Sequence, residues 1–286
     1  MFKRVVLFVF AALLLVGLVA GCGGGKKAIQ IKGSDTMVNL GQAWAEEYMK
    51  LNPEVSLAVT GGGSGTGIAA LLNKTTDLAM SSRDIEKKEL EQASKLGLDP
   101  QEIIVAYDGI SVVVSPKNPV NKLTIKQLSD VFSGKITNWQ ELGGPDKKIV
   151  VLSRDRNSGT HVFFAEHVVK LGDSKNPNEF GQAVLMMPSN QAIVEEVSGN
   201  TAAIGYVGLG YMCDKLKSIA VAKDESSPYL IPCIKSVANK TYPIARSLQL
   251  YTDKETSQAV KDFIAFILSD AGQKVVLKMD FVPLAK

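Results

Sequence analysis

The sequence predicts an α/β protein with mainly parallel sheets. Short strand-like segments alternate with helical ones along most of the chain, which is typical of parallel strands connected by helices. Glycine and hydroxyl residues collect where several of these strands end, and this is the edge at which open α/β sheets bind ligands. With 286 residues, the chain is long enough for two domains of ordinary size.

The first part of the chain alternates regularly. Apolar and β-branched runs predict strands at residues 28–33, 55–61 and 77–82. Between them, apolar residues spaced three and four apart predict helices at 39–53 and 66–75.

The middle and last parts continue the alternation. A long β-rich segment covers 102–116, and a helix at 124–134 has Thr124 as its N-cap and Gly134 just after its end. Further strands are predicted at 147–154, 202–208 and 246–253, and further helices at 159–171, 191–200 and 257–279, the last being one long helix or a pair.

The segments 106–116 and 245–253 are placed to carry the chain between two α/β lobes. One lobe would then be discontinuous, built from residues 28–109 plus 243–286, and the other would be residues 110–242. Periodicity alone leaves this topology open.

The N-terminus predicts export and lipidation. Lys3 and Arg4 precede the unbroken apolar run 5–21, and Val-Ala-Gly before Cys22 has the form of a lipobox. We interpret residues 1–21 as a lipoprotein signal peptide and 22–27 as the lipidated cysteine with a short tether. Acyl chains such as palmitate on Cys22 would anchor the protein to the outer face of the cell membrane, the periplasmic side if an outer membrane exists. An uncleaved transmembrane anchor is the alternative.

Charge and cysteine content narrow the possible partners. The chain has 32 Lys and Arg, two of them in the signal segment, against 29 Asp and Glu, so no basic surface indicates nucleic-acid binding. Apart from Cys22, the cysteines are Cys213 and Cys233, for which an exported chain permits either a disulfide or two thiols.

Four short stretches share one design, in which glycines and hydroxyl or guanidinium groups directly follow a predicted strand. They are GSDT (33–36), GGGSGTG (61–67), SSRD (81–84) and RDRNSGT (154–160). The first, second and fourth also precede a helix, whose free backbone N–H groups attract anions. Arg83 and Arg154 add charge in a geometry suited to an oxyanion.

Each stretch also has a simpler interpretation. The glycine run is typical of a flexible turn, Ser34 and Ser158 of helix N-caps, and Arg83 and Arg154 of surface ion pairs. Four such stretches at strand ends in one chain favour an oxyanion site.

Several catalytic and metal motifs are absent from the sequence. Ile136 follows the only Gly-Lys pair that resembles a P-loop, and Thr66 stands where a nucleophile elbow around Ser64 needs glycine. His161 and His167 are six residues apart, which does not suit a metal pair on one helix face. His161 as a base beside a serine is the remaining catalytic alternative. We therefore predict no enzyme activity, no metal and no cofactor.

The order of motifs resembles one known family. The lipobox, GSDT, GGGSGTG, DLAMSSRDI, LSDVFSGKITNWQELGG, SRDRNSGT, AIGYVGLGY and FILSDAGQKV are similar to those of the phosphate-binding lipoproteins that serve ABC-type phosphate importers. The resemblance covers essentially all of the chain after the signal segment, and FSGKITNW followed by R-x-x-x-SGT is its most specific part.

The resemblance implies a two-lobed, hinged periplasmic-binding-protein (Venus-flytrap) fold that closes on one dehydrated phosphate. It implies phosphate-binding roles for Ser34, Asp35, Thr36, Ser64, Ser82, Arg83, Arg154, Ser158, Gly159 and Thr160. It also implies a monomer that delivers inorganic phosphate to membrane permease subunits of an ABC transporter.

One position departs from the family pattern. Better-known relatives have a carboxylate where Ser82 aligns, and that carboxylate accepts the hydrogen of HPO₄²⁻ and rejects sulfate. We predict that Asp35 takes over as the acceptor, whereas Asp155 could orient Arg154. Another tetrahedral oxyanion (sulfate, molybdate or tungstate) and a lipid-anchored phosphate-ester hydrolase are the alternative functions.

Overall fold

The computed structural model describes residues 28–285. The predicted signal peptide, the lipidation site Cys22 and the whole tether lie outside the described residues.

The first part of the chain forms a parallel half-sheet. Strands β1 (Ile29–Gly33), β2 (Leu57–Thr60) and β3 (Leu78–Ser81) pair in the order β2-β1-β3. They are connected by α1 (Val38–Leu51) and α2 (Ser64–Leu72), and both helices bury an apolar face. This strand-helix-strand pattern is the one that the sequence predicts.

The remaining helices and strands follow in chain order: α3 (Lys87–Lys95), β4 (Pro100–Val114), β5 (Lys122–Thr124), α4 (Ile125–Phe132), β6 (Val150–Arg154), α5 (Gly159–Phe164), β7 (Leu185–Met187), α6 (Asn190–Gly199), β8 (Ala203–Gly208), β9 (Lys217–Ser218), β10 (Ala220–Ala222), α7 (Ile234–Ala238), β11 (Ala245–Asp253), α8 (Gln258–Leu268) and α9 (Asp270–Lys278).

Strands β8, β6 and β7 form a second parallel half-sheet, and two long antiparallel strands join it to the first. The full order is β2-β1-β3-β11-β4-β8-β6-β7. Strand β4 pairs with β11 through residues 100–109 and then with β8 through residues 110–114, so it belongs to both halves. The mixed, mainly parallel sheet flanked by helices confirms the predicted fold class.

Two large hydrophobic clusters lie on the two sides of this junction. One contains Trp44 and Phe263 and draws its buried residues from 29–106 and 248–281. The other contains Trp139 and Phe164 and draws them from 110–244, together with Val282. The division into lobes at 28–109 plus 243–286 and 110–242 stays a prediction, and this grouping of the core supports it.

One helix differs from the expectation, and two other predicted features agree with it. The helix predicted at 159–171 is α-helical only to Phe164 and continues as a π-helical turn over Ala165–Val169. The segment 257–279 is a pair of helices that meet at Ser269, which caps the second one. Thr124 is the N-cap of α4 as predicted, because its hydroxyl accepts a hydrogen bond from the Gln127 backbone.

Two further findings concern the helices and the cysteines of the described residues. Among residues 28–285, every helix is too short or too polar to cross a membrane. Cys213 and Cys233 are free and exposed, so the structure favours two thiols over a disulfide.

Candidate anion-binding site

Three parallel strands end close together and bring the predicted loops to one place. Strand β1 ends at Gly33, which has φ +145° and whose added Cβ would lie 2.1 Å from the Met80 carbonyl oxygen of β3. A side chain at this position is therefore sterically excluded. Glycine here lets Ser34 donate its backbone N–H to Met80 (2.8 Å) and places Ser34 next to the end of β3.

A cluster of buried serine hydroxyls lies at these strand ends. Ser34 Oγ donates to Ser82 Oγ (2.9 Å), and Ser64 Oγ lies 3.3 Å from the same atom. The Ser82 backbone N–H also donates to Ser64 Oγ (3.1 Å). All three serines are at most 1 % exposed. Three loops that are distant in sequence thus contribute to one polar cluster, and the sequence predicts that these loops meet.

Ser34 does not act as a helix cap. It precedes a short 3₁₀ turn, yet its side chain makes no capping hydrogen bond and points to Ser82 instead. Ser158 does cap α5, since its Oγ accepts from the His161 backbone N–H (3.4 Å). The simpler interpretation therefore holds for Ser158 and fails for Ser34.

The second half-sheet closes against this cluster through the start of α5. Thr160 Oγ1 and Thr36 Oγ1 are 2.9 Å apart, and both residues are buried. A Cβ on Gly159 would lie 2.3 Å from Ser64 Oγ and 2.7 Å from Ser82 Oγ. Only glycine permits such close contact between the backbone and the two hydroxyls.

Arg154, the last residue of β6, supplies positive charge from the second half-sheet. Its side chain is 1 % exposed, and Nη2 donates to Asp35 Oδ2 (3.0 Å) and to the Pro188 carbonyl (2.9 Å). Its Nε donates to the Met187 carbonyl (3.3 Å). Nη1 is buried and has no hydrogen-bond partner within residues 28–285. A buried donor of this kind is costly unless a further acceptor satisfies it.

Asp35 links the two halves through its carboxylate. Oδ2 accepts from Arg154 and also from the Asn190 backbone N–H (3.1 Å) and side chain (3.4 Å). Oδ1 lies toward the glycine loop, 3.2 Å from where a Cβ on Gly61 would be. The carboxylate in contact with Arg154 among residues 28–285 is thus that of Asp35, and the suggestion that Asp155 orients this arginine is not supported by the contacts.

Arg83 is placed differently from the expectation. Its guanidinium makes a two-pronged ion pair with Glu89 (both 2.8 Å) and a further contact with Glu86 (3.2 Å). Its Nε is buried and, like Arg154 Nη1, has no hydrogen-bond partner within residues 28–285. The ion pairs favour a role for Arg83 within its own loop and the following α3, so its guanidinium at the anion stays a prediction, whereas the neighbouring Ser82 does join the hydroxyl cluster.

Two charged residues that sequence reasoning missed also reach the cluster. Arg246 Nη2 donates to Thr36 Oγ1 (3.2 Å) and Nη1 to the Ser82 carbonyl (3.0 Å). Its Nε and Nη2 both donate to Asp108 Oδ2 (3.1 and 2.8 Å). Burial raises the pKa of Asp108, and the adjacent Arg246 opposes this rise. The sequence does contain a signal for Asp108 and Arg246, because each is a charged residue inside a segment that otherwise has the pattern of a strand.

His161 is not poised to activate a hydroxyl of the cluster. Its Nδ1 lies 3.0 Å from Ser153 Oγ, a buried hydroxyl that is 2.6 Å from the Tyr206 hydroxyl. The ring stacks on Phe180. Residues 28–285 also contain no group of three or more His, Cys, Asp or Glu side chains that could hold a metal ion. These contacts give no support to the hydrolase alternative.

The environment of His161 predicts a pH-dependent stability. Burial, aided by Arg156, lowers the pKa of His161 from 6.5 to about 4. The unfolded chain therefore binds a proton on His161 more readily than the folded chain does. The free energy of unfolding is highest above pH 6.5 and falls as the pH is lowered toward 4. Full burial would make the loss about 2 kcal/mol at pH 5, and the partial exposure of the ring reduces it to about 1 kcal/mol. We expect His161→Gln to unfold in urea with a smaller loss of stability between pH 7 and pH 5 than wild type.

His167→Gln is the control, because His167 is exposed and stacks on Phe163 at the surface. Its loss of stability should equal that of wild type. An equal loss in all three proteins would show that His161 is not responsible.

Comparison with known proteins agrees with this geometry. The family model of the PBP superfamily domain matches residues 20–271. The Phosphate-binding protein PstS of Pseudomonas aeruginosa is 33% identical over 272 residues, covering 88% of this chain and 81% of the relative. The protein of the same name from Borreliella burgdorferi is 30% identical and covers 98% of both chains.

Solved structures give the same result. A Clostridium perfringens protein described as a substrate-binding protein of a phosphate ABC transporter, solved with bound phosphate, superposes with a TM-score of 0.82 at 32% identity. It covers 91% of this chain and 100% of its own. An ABC-type phosphate transport receptor from Vibrio cholerae superposes with a TM-score of 0.71 at 30% identity, covering 90% of this chain and 100% of its own. The chain therefore belongs to the PBP superfamily and, within it, to the phosphate-binding proteins of ABC-type phosphate importers.

Proposed function

We propose that the protein captures inorganic phosphate between two lobes and delivers it to the permease of an ABC importer. The observation that carries this proposal is the buried Arg154, whose Nη1 lacks a protein partner within residues 28–285, beside hydroxyls that come from three strand ends. A dehydrated tetrahedral oxyanion needs many donors and balancing positive charge, and this site offers both. No catalytic step is required, and the relatives are named as binding proteins.

The proposed ligand set comprises the hydroxyls and glycine around Arg154, with Asp35 as the selecting carboxylate. Its members are Ser34, Asp35, Thr36, Ser64, Ser82, Arg154, Ser158, Gly159 and Thr160. Donors from both half-sheets support a closing motion driven by the ligand, because only the closed state lets one ion contact all of them.

The lipid anchor completes the proposed function. An acylated Cys22 would hold the protein at the outer face of the membrane, near a permease. The lipobox pattern and the short glycine-rich tether support this anchoring.

Titration calorimetry of the chain that starts after Cys22, freed of bound ligand, tests the function. We expect one-to-one binding of phosphate and no measurable binding of sulfate at the same ionic strength. Preference for sulfate, molybdate or tungstate would contradict phosphate as the ligand, and silence with every oxyanion would contradict the proposed function.

Asp35→Asn is expected to weaken phosphate binding by about tenfold and to reduce discrimination against sulfate. The variant removes a carboxylate acceptor for the hydrogen of HPO₄²⁻ and leaves the charge of Arg154 less neutralised, which favours a fully deprotonated dianion. Calorimetric titration with both anions measures the ratio of their affinities.

Asp155→Asn is the matched control, because Asp155 lies in the same loop as Arg154 and makes no ion pair with it. It should bind both anions as wild type does. Unchanged phosphate affinity with unchanged sulfate rejection in Asp35→Asn would remove Asp35 from the selecting role.

Asn157→Ala is expected to speed phosphate release about tenfold. The Asn157 side chain donates to the Gly62 carbonyl (2.7 Å) and to Thr66 Oγ1 (3.1 Å), and the Asn157 backbone carbonyl accepts from the Gly65 N–H (3.0 Å). These bonds join the two half-sheets at the rim of the site without belonging to the hydroxyl cluster. The substitution removes the two side-chain bonds and keeps the backbone bond. It should therefore favour opening, while the association rate stays nearly constant.

Rapid mixing of the complex with radiolabelled phosphate against excess unlabelled phosphate measures the release rate. Asn239→Ala, an exposed asparagine whose side chain bonds only to nearby Thr241, is the control. Equal release rates from both variants would argue against a latch at Asn157.

A further inference from the structure

A buried ion pair occupies the junction between the two half-sheets. Asp108 on β4 and Arg246 on β11 are directly opposite each other in the antiparallel ladder. Their side chains are 0 % and 2 % exposed, and the guanidinium contacts Asp108 Oδ2 through both Nε and Nη2. Buried pairs of this kind contribute little net stability compared with apolar residues, so their presence calls for another explanation.

Besides its contacts with Asp108, the Arg246 guanidinium donates hydrogen bonds to two residues of the proposed phosphate site. Nη1 donates to the Ser82 carbonyl (3.0 Å) and fixes the turn that carries this serine. Nη2 donates to Thr36 Oγ1 (3.2 Å). Asp108 sets the position of the guanidinium, and the guanidinium sets the position of both residues.

The contact with Thr36 also decides the direction of its hydroxyl. A guanidinium has donors and no acceptor, so Thr36 Oγ1 must accept from Arg246. The Thr36 hydroxyl proton is then free to point toward Thr160, 2.9 Å away, or toward an anion oxygen between the two half-sheets. The contact with Arg246 thus uses one lone pair of Thr36 Oγ1 and leaves the hydroxyl proton available to donate.

Asp108 and Arg246 also contact residues next to the second half-sheet. Asp108 Oδ1 accepts from the Leu209 backbone N–H (2.9 Å), just after β8. The Arg246 guanidinium lies over the Phe163 ring of α5, 5.8 Å from its centre. The orientation of Thr36 and Ser82 is thus connected to the strands that join the half-sheets.

We propose that Arg246, held in place by Asp108, is a positioning residue of the phosphate site that orients the Thr36 hydroxyl toward the anion. This inference rests on the proposed phosphate-binding function. It concerns two residues outside the ligand set, which act mainly through Thr36, because Ser82 is also held by its hydrogen bonds to Ser34 and Ser64.

A double-mutant cycle tests the proposal. Phosphate is titrated calorimetrically into wild type, Arg246→Lys, Thr36→Val and the double variant. Lysine keeps the charge beside Asp108 but lacks the planar fork that reaches Asp108 and Thr36 together. We expect Arg246→Lys to raise the dissociation constant on the order of tenfold in the wild-type background and by less than twofold in the Thr36→Val background.

Thr252→Val is the matched control. Thr252 is a buried threonine of β11 whose hydroxyl bonds to the Asp77 carbonyl, away from the site. The effect of Arg246→Lys should be the same with and without this change. A purely structural role for Arg246 would give equal effects in the Thr36→Val and Thr252→Val backgrounds, and this result would overturn the proposal.

A variant that fails to fold and a wild type that fails to bind phosphate can both be distinguished from a wrong role for Arg246. If Arg246→Lys does not fold, Asp108→Asn replaces it, since it loosens the guanidinium without removing its donors, and its effect on phosphate should again vanish in the Thr36→Val background. If wild type itself fails to bind phosphate, the proposed function is wrong. If wild type binds and the cycle is additive, only the role of Arg246 is wrong.

Discussion

Replacing Arg154 with methionine is expected to weaken phosphate binding by at least about 100-fold. Charge-assisted hydrogen bonds contribute about 1.5–3 kcal/mol each, so the loss of two amounts to about 3–6 kcal/mol, with the loss of the site's charge in addition. Arg154 is the buried guanidinium at the end of β6, and its Nη1 has no partner within residues 28–285. Calorimetry with phosphate measures the loss directly.

The variant also leaves Asp35 without its cation, so stability needs a separate control. The double variant Arg154→Met/Asp35→Asn removes both charges and should recover most of any lost stability in urea unfolding. It should still fail to bind phosphate. Phosphate binding by this double variant at wild-type strength would show that Arg154 serves only to neutralise Asp35.

Gly159→Ala is expected to weaken phosphate binding by about 100-fold with little change in stability. The added Cβ would lie 2.3 Å from Ser64 Oγ and 2.7 Å from Ser82 Oγ, so these hydroxyls must rotate away or the half-sheets must stay apart. Either response removes donors from the anion, at about 1 kcal/mol or more for each hydrogen bond. Alanine in a helix is otherwise favoured over glycine, so the fold itself should tolerate the change.

Gly199→Ala provides the matched control, because this glycine ends α6 and an added Cβ there meets no atom within 4 Å. It should leave phosphate affinity unchanged. Wild-type affinity in Gly159→Ala as well would mean that the hydroxyl cluster is not the binding site, or that it does not need this close contact.

The elements with a clear local pattern were predictable from the sequence. The strand expected at 102–116 is β4 (Pro100–Val114), and the helix expected at 124–134 is α4, which begins after the Thr124 cap. Helix α3 was missed because it is polar almost throughout and buries only Ala93. Strand β7 was missed because it has three residues and little burial.

The unforeseen ion pair of Arg83 has the same origin. Its partner Glu89 lies on α3, a helix that the apolar pattern did not reveal. Asp108 and Arg246 were overlooked for a different reason. They are 138 residues apart in sequence, and only the pairing of β4 with β11 places them face to face.

The sequence by itself determined the alternation of strands and helices and the loops that carry the hydroxyls. Local periodicity and the stereochemistry of glycine are sufficient for these, because each depends on neighbouring residues only. Tertiary structure alone decided which charge balances which. It assigned Asp35 to Arg154 and Asp108 to Arg246. A buried charge is stable only with a partner at contact distance, and contact between remote segments is set by how the sheet is ordered.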